Sequence, residues 1–262
     1  MLRPRIIPCL LVQNKGLVKT VGFARPKYVG DPINAVKIFN EKEVDEIVVL
    51  DIDATAKGSE PDYGMIRNVA AECRMPLCYG GGVRTVEQAV RIIRMGVEKV
   101  AISAAAVADP GLVSAIAKHI GSQSVVVVLD VRRAAKTGLP GLWTHNGTRS
   151  AQQDPVSFAR RLEDLGVGEI TVNSIDRDGA MRGYDLELVR SIRDAVTVPM
   201  TVLGGAGSLG DVEALIRTFG VIGAAAGSLF VFKGVYRAVL INYPRRAEKK
   251  ALYGAALMSR PA

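Results

Sequence analysis

The chain repeats itself at half its length. DEIVVLDID (45–53) lies over GEITVNSID (168–176) at a spacing of 123 residues, and at that spacing YGGGV (79–83) lies over VLGGA (202–206). VAISAAAV (100–107) faces GAAAGSLF (223–230), again 123 residues on, and the opening RIIPCLLVQN (5–14) aligns with SVVVVLDVRR (124–133) at 119. Four matches in one order predict two similar halves. Short apolar runs near 5–12, 46–51, 76–80, 99–103, 124–130, 169–174, 199–203 and 221–226 alternate with helical patterns. They are runs rather than in/out alternations, as expected of strands covered on both faces of a parallel sheet.

Helix boundaries are well marked. The DP pairs at 31–32, 109–110 and 154–155 predict an Asp cap followed by Pro in the first turn. TVEQ (85–88) reads as a capping box, and Gly96, Gly121 and Gly166 stand where helices stop. Eight strand–helix alternations in 262 residues predict an α/β fold, a single (β/α)8 TIM barrel over 1–262. It divides into (β/α)4 half-barrels over about 1–120 and 121–245, with a C-terminal tail over 246–262. A doubly wound open sheet is the alternative, and it lacks a GxGxxG after the first strand. Only 5% of residues are aromatic, which also disfavours an all-β sandwich.

The formal charge of +8 suits nucleic acid or an anionic small substrate. No Lys/Arg block carries interleaved aromatics, so nucleic acid is not expected; RRAEKK (245–250) reads as a solvated helix face. Cys9, Cys73 and Cys78 are odd in number and form no CxxC, which argues against a disulfide framework and a structural zinc. Cys9 and Cys78 fall in predicted strands and read as buried free thiols. With only His119 and His145 as histidines, no metal site and no cofactor is expected. The first apolar run is broken by Pro8 and no run is long enough to span a bilayer, so the expectation is a cytoplasmic protein without signal peptide or membrane contact.

In such barrels function sits on the loops after the strands. GGG (80–82) and GGAG (204–207) fall there, each just before a predicted helix whose free N–H groups suit a phosphate. A tight turn needing positive φ is the plainer reading of either loop alone. Each is followed one strand later by a run of small residues, Ser103 to Ala106 and Ala226 to Ser228, which suggests two phosphate sites across one mouth. The carboxylates at that mouth are Asp51, Asp53, Asp130, Asp176 and Asp178, several of them expected to hold loops. Asp130 ends a fully apolar strand and is the best candidate for a perturbed acid or base. Its counterpart in the other half is Leu11, which transfers no proton.

RIIPCL, LVKT (17–20), VVLDIDAT (48–55), CYGGGVRT (78–85), GSQSVVVVLDVRR (121–133), WTHNGTR (143–149), GEITVNSIDRDGAMRGYD (168–185) and GGAG resemble the cyclase subunit of imidazole glycerol phosphate synthase, the HisF family, over nearly the whole chain. The resemblance implies a barrel that takes ammonia from a HisH-like glutaminase docked on its N-terminal face and passes it to a phosphorylated small molecule at the other end. It implies two catalytic aspartates; Asp130 matches one and Leu11 replaces the other. It also implies a mobile substrate-loop lysine at Lys19, and ligand contacts from Asp51, Gly81, Gly82, Ser103, Asp178, Gly179, Gly204, Gly205, Gly227 and Ser228. Ser103-Ala104 replaces the family's Asn-Thr and Leu203 replaces a Ser, each a lost polar group costing roughly 1.5–3 kcal/mol if it held an anion. The family's charged ammonia gate is matched by Arg5, Glu46, Lys99 and Glu169.

An intact entrance with a depleted mouth resembles a HisF-like branch found with surface-polysaccharide genes. There the barrel and its glutaminase supply a separate ATP-using amidotransferase that turns an acetamido group of a nucleotide sugar into an acetamidino group. This is the favoured expectation. A working cyclase of histidine biosynthesis, and a non-enzymatic scaffold activating the glutaminase, are the alternatives.

Overall fold

The computed structural model describes residues 3–258. Eight parallel strands line the barrel: β1 (Arg5–Gln13), β2 (Ile47–Asp51), β3 (Leu77–Gly80), β4 (Lys99–Ile102), β5 (Val125–Arg133), β6 (Glu169–Ser174), β7 (Met200–Leu203) and β8 (Gly223–Ala226). They are hydrogen-bonded in chain order, β8 pairs with β1, and β5–β6 pairing completes the closure. The strands lie within one to three residues of the apolar runs. Outward side chains such as Ile6, Leu10, Ile47, Val49, Val127 and Ile170 pack under the helices in the main core. Inward ones form two small clusters, Ile7, Cys9, Leu203 and Ala225 against Cys78, Ala101, Val126 and Val128, with Val48 and Leu50 touching both. Burial on both faces is why the strands read as continuous apolar runs.

The helix Pro32–Glu41 is capped by Asp31 and Pro155–Asp164 by Asp154, each carboxylate accepting from a backbone N–H. Thr85 and Gln88 satisfy each other's backbone at the head of Val86–Ile93. At 109–110 the expectation needs correcting. Asp109 ends the short helix Ala104–Ala108, and the next helix starts at Gly111 behind Pro110. Asp109 still accepts from Gly111 N at 3.0 Å.

The strand ladder fixes the repeat. Leu11 pairs with Leu50 and Leu50 with Gly80, while Asp130 pairs with Asn173 and Asn173 with Leu203. Leu11 and Asp130 therefore occupy equivalent rungs. The last of the four matches shifts by one residue. Tyr79 pairs with Val100, yet Val202 pairs with Ala224, so β4 and β8 superpose at 124 rather than 123. A string of Gly and Ala reads alike at either offset, and only the hydrogen bonds decide it.

Two antiparallel hairpins were not foreseen. β1 turns back as Gly16–Val21, which pairs with Ala24–Gly30; β5 turns back as Pro140–Thr144, which pairs with Arg149–Ser150. At the opposite end, the stretch expected as a tail forms the helix Arg246–Met258, and 259–262 lie outside the described residues. Most of RRAEKK is exposed there, but Lys249 reaches Asp45 at 3.1 Å and the Glu43 carbonyl at 2.9 Å. Asp45 also accepts from Ile6 N at 3.0 Å and from the Tyr253 hydroxyl, so the last helix is fastened to the starts of β1 and β2. Among the described residues no helix is long and apolar enough to cross a membrane, and no cluster of metal-ligating side chains occurs.

Candidate functional site

Strand starts gather at the barrel base, and four of them carry charge. Arg5 donates to Glu46 and, at 2.8 Å, to Glu169. Lys99 reaches the two Glu46 oxygens at 2.9 and 3.0 Å and Glu169 at 2.8 Å. Thr201 adds a hydroxyl donor to Glu169 at 2.5 Å. The ring is closed, and its two cations balance its two anions. Burial alone would raise the Glu169 carboxyl, but Arg5 and Lys99 outweigh it and hold it at about 2.

Above the ring lies a void of about 20 Å³, lined by Ile7, Val48, Cys78, Val126, Thr171, Ala225 and the ring residues Glu46, Glu169 and Thr201. That is room for one water-sized molecule. Cys9, Leu50, Ala101, Val128 and Leu203 form a collar shared with the mouth cavity above, which holds about 430 Å³.

The mouth gathers both glycine loops, as a barrel requires. Gly81, Gly82, Gly204 and Gly205 all have positive φ, so the tight-turn reading holds for each. They also permit close approach: a Cβ on Gly81 would stand 2.4 Å from the Asp51 carbonyl. The helices after these loops are not the free anion sites expected. Thr85 with Gln88, and Ser208 with Asp211, already cap them, and Gly207 N also donates to Asp211 at 2.9 Å. At the cavity wall two short helices begin without a side-chain cap, Ala104–Ala108 behind Ser103 and Ser228–Val231 behind Gly227. They start 124 residues apart.

A closed barrel with twofold ladder equivalence, a neutral basal ring and two facing anion-type helix ends is a specific combination. Residues 5–237 match the sequence pattern of the family described as "Histidine biosynthesis protein". The chain belongs to that family. It is 53% identical to a Leptospira interrogans protein named "Putative imidazole glycerol phosphate synthase subunit HisF", over 97% of this chain and all of the relative. Proteins bearing the same name with hisF3 in Vibrio vulnificus and hisF2 in Pseudomonas aeruginosa are each 54% identical, covering 95% and 93% of this chain and 96% and 97% of theirs. The chain is thus a HisF-like subunit.

Within this HisF-type mouth Asp130 is the central acid. Asn173 Nδ2 donates to it at 2.9 Å and Ser103 Oγ at 3.3 Å. Burial pushes its carboxyl up, these two donors pull it back, and it rests at about 7. Leu11, Leu50 and Leu203 share the lining, so the environment around the acid is largely apolar. Asn173 escaped the sequence reading. Its signal was a polar side chain at an inward position of the apolar run GEITVNS.

Of the other carboxylates expected at the mouth, Asp51 and Asp178 line the cavity while Asp53 and Asp176 lie outside its lining, and all four hold loops. Asp51 caps the helix Ile52–Lys57 through Asp53 N at 3.0 Å and Ala54 N at 3.2 Å; burial raises its carboxyl against those bonds. Asp53 takes Asn14 N at 2.8 Å, and Asp176 takes Arg133 N at 2.8 Å. Asp178 accepts from Thr20 Oγ at 2.7 Å and Phe23 N at 3.2 Å, clasping the first hairpin to the loop after β6. Burial raises its carboxyl, while Thr20, Phe23 and Lys19 lower it. Gly179 is needed for that clasp, since a Cβ there would stand 2.1 Å from the Thr20 carbonyl.

Lys19 sits in the strand Gly16–Val21 rather than a free loop. Its buried ammonium donates to the Cys9 carbonyl at 2.6 Å. Burial lowers its affinity for the proton. A Cβ on Gly227 would stand 2.5 Å from Lys19 Nζ, so the second uncapped helix end has a cation beside it. Ser228 keeps a hydroxyl there, where Ala104 has none. Cys9 and Cys78 are buried free thiols, and burial raises both.

Proposed function

We propose that the chain is the ammonia-conducting synthase subunit of a glutamine amidotransferase complex. A HisH-like glutaminase releases ammonia at the Arg5–Glu46–Lys99–Glu169 ring, and the barrel carries it to the mouth. The ammonia then serves the conversion of an acetamido into an acetamidino group on a nucleotide sugar for surface polysaccharide, with a separate ATP-dependent enzyme activating the amide. The observation that carries this reading is the contrast between the complete ring and Leu11 standing on the rung equivalent to Asp130. Cyclisation needs a proton donor and a proton acceptor on opposite sides of the mouth. General acid–base groups contribute roughly 10²–10⁴-fold each, and one of the pair is a hydrocarbon. Conduction needs only an openable entrance, a lumen and an exit. A neutral ring of charge-assisted bonds can yield to a small polar molecule and close again.

The names of the relatives and the carboxyl of Asp130 at about 7 favour a second reading, a working cyclase subunit of histidine biosynthesis. Steady-state turnover of the histidine-pathway bisphosphate by the purified chain with ammonium salt separates the two, together with complementation of a histidine auxotroph. Negligible turnover and no growth are expected. A rate comparable to an ordinary cyclase subunit would transfer the conclusion to the second reading.

A further inference from the structure

Between the basal ring and the mouth the lumen wall is almost entirely hydrocarbon and thiol: Ile7, Val48, Cys78, Val126 and Ala225, then the collar of Cys9, Leu50, Ala101, Val128 and Leu203. A small molecule with N–H or O–H groups loses its water partners on entering such a wall and needs replacements. One strand supplies them. Inward positions of β6 alternate as Glu169, Thr171 and Asn173, all polar. Glu169 belongs to the ring. Thr171 lines the void, and its hydroxyl enters no hydrogen bond among the described residues, whereas Thr201, the other hydroxyl of that lining, is committed to Glu169. Asn173 is 4% exposed and lines the mouth cavity; its Nδ2 is spent on Asp130, and its Oδ1 is buried without a partner.

We infer that β6 is a hydrogen-bonding rail for neutral ammonia, with Thr171 Oγ and Asn173 Oδ1 as its two stations. The inference rests on the conducting role proposed above and assigns it to particular atoms. Spacing supports it. Positions i and i+2 of a strand lie about 7 Å apart, which one small molecule bridges by a hydrogen bond of about 3 Å to each side. Ammonia donates to Asn173 Oδ1, and at Thr171 it either donates to the hydroxyl oxygen or accepts the hydroxyl proton on its lone pair. Among the described residues no charged side chain lines the void apart from the ring's own Glu46 and Glu169, so the rail suits the neutral molecule and not ammonium. The amide of Asn173 is held by Asp130 in the orientation that leaves Oδ1 free while that carboxyl is ionised. Once Asp130 is protonated, its O–H can pair with Oδ1 after an amide flip, and the upper station loses its acceptor.

Two measurements test the rail. The first is crystallography of the chain at about 1.2 Å resolution, soaked in ammonium salt at alkaline pH, for the native sequence, Thr171→Val and Thr171→Ser. Ordered density between Thr171 Oγ and Asn173 Oδ1 is expected in the native and Ser forms and absent in the near-isosteric Val form. An empty lumen in the native crystal, or unchanged density in Thr171→Val, overturns the assignment. The second uses the complex with its glutaminase and acceptor enzyme. The ratio of glutamine-driven to ammonium-driven amidation should fall about two- to tenfold in Thr171→Val and be restored in Thr171→Ser. A native complex showing glutamine-driven product and a Val variant with the same ratio refute the rail and leave conduction standing. A native complex with no glutamine-driven product refutes conduction itself, and the density measurement still decides whether the stations exist.

Discussion

The two half-barrels present the same rungs with different chemistry. In the first, Leu11, Leu50 and Gly80 pair across β1, β2 and β3; in the second, Asp130, Asn173 and Leu203 pair across β5, β6 and β7. The second half carries a carboxylate and an amide that orients it, and its uncapped helix end at Gly227 is met by Lys19 from the first half. On those rungs the first half carries only hydrocarbon and backbone, although its Lys19, Asp51 and Ser103 also line the mouth. The two halves share one backbone ladder and differ in the side chains set on it. A barrel tolerates this because loops and rung ends are not needed for its core.

The contrast is broken most directly by chemistry. Turnover of the histidine-pathway bisphosphate with excess ammonium should lie at least ~10²-fold below that of a two-carboxylate barrel. Leu11→Asp should recover only part of it, since Ala104 and Leu203 remain. Full recovery in steady-state assays would mean that a single side chain separates the halves.

The retained acid should tax stability at high pH. The Asp130 carboxyl titrates at about 7 when folded, above its ordinary 3.8. A raised carboxyl adds stability below its unfolded value, and that contribution is lost as pH climbs to the folded value. Relative to Asp130→Asn, the native chain should weaken progressively between about pH 4 and pH 7, by an order of about 2–4 kcal/mol, and no further above that. Urea melts of both proteins at pH 5 and pH 8 measure it. Parallel pH dependences would show that Asp130 is better solvated than its apolar neighbours imply.

The ring sharpens the comparison from the other end, because there the halves cooperate. Lys99→Ala leaves Arg5 as the one cation of the ring for both Glu46 and Glu169. It should cost about 1–3 kcal/mol, less than a fully buried pair because Lys99 reaches solvent. It should also change glutamine-driven amidation more than ammonium-driven amidation. Equal responses would make the ring a structural clasp only. The smallest effect concerns anions. Phosphate soaked into crystals should occupy the Gly227–Ser228 end, beside Lys19, severalfold more than the Ser103–Ala104 end, since one charged hydrogen bond is worth roughly 1.5–3 kcal/mol. Density beside Gly82 and Ser103 alone would reverse that ranking.

The strands were legible because burial on both faces leaves unbroken apolar runs, and the repeat followed from their order. The hairpins Gly16–Val21/Ala24–Gly30 and Pro140–Thr144/Arg149–Ser150 were not, because they are short, partly exposed and rich in polar residues, so no periodicity marks them. The β4–β8 offset was illegible since Gly223–Ala226 contains only Gly and Ala. Asp130 could be named from its position at the end of an apolar strand and the ring from the family resemblance, but the caps at Thr85 and Ser208 redirected the anion sites to shorter helices. Thr171 and Asn173 were visible as polar letters inside an apolar strand. Their significance needed the lumen, which no one-dimensional pattern displays.

The basal ring has a further consequence for assembly. Arg5, Glu46 and Lys99 come from the first half, with one net positive charge among them, and Glu169 from the second supplies the balancing negative one. Electroneutrality at the base is therefore reached only when β6 has closed against β5 in the correct register. Among the ring residues of the first half alone, Arg5, Glu46 and Lys99, one cation has no carboxylate of its own. A strand slip of one residue in β6 turns Glu169 outward and leaves the same excess. The ring thus ties the charge balance of the floor to the register in which β6 pairs with β5.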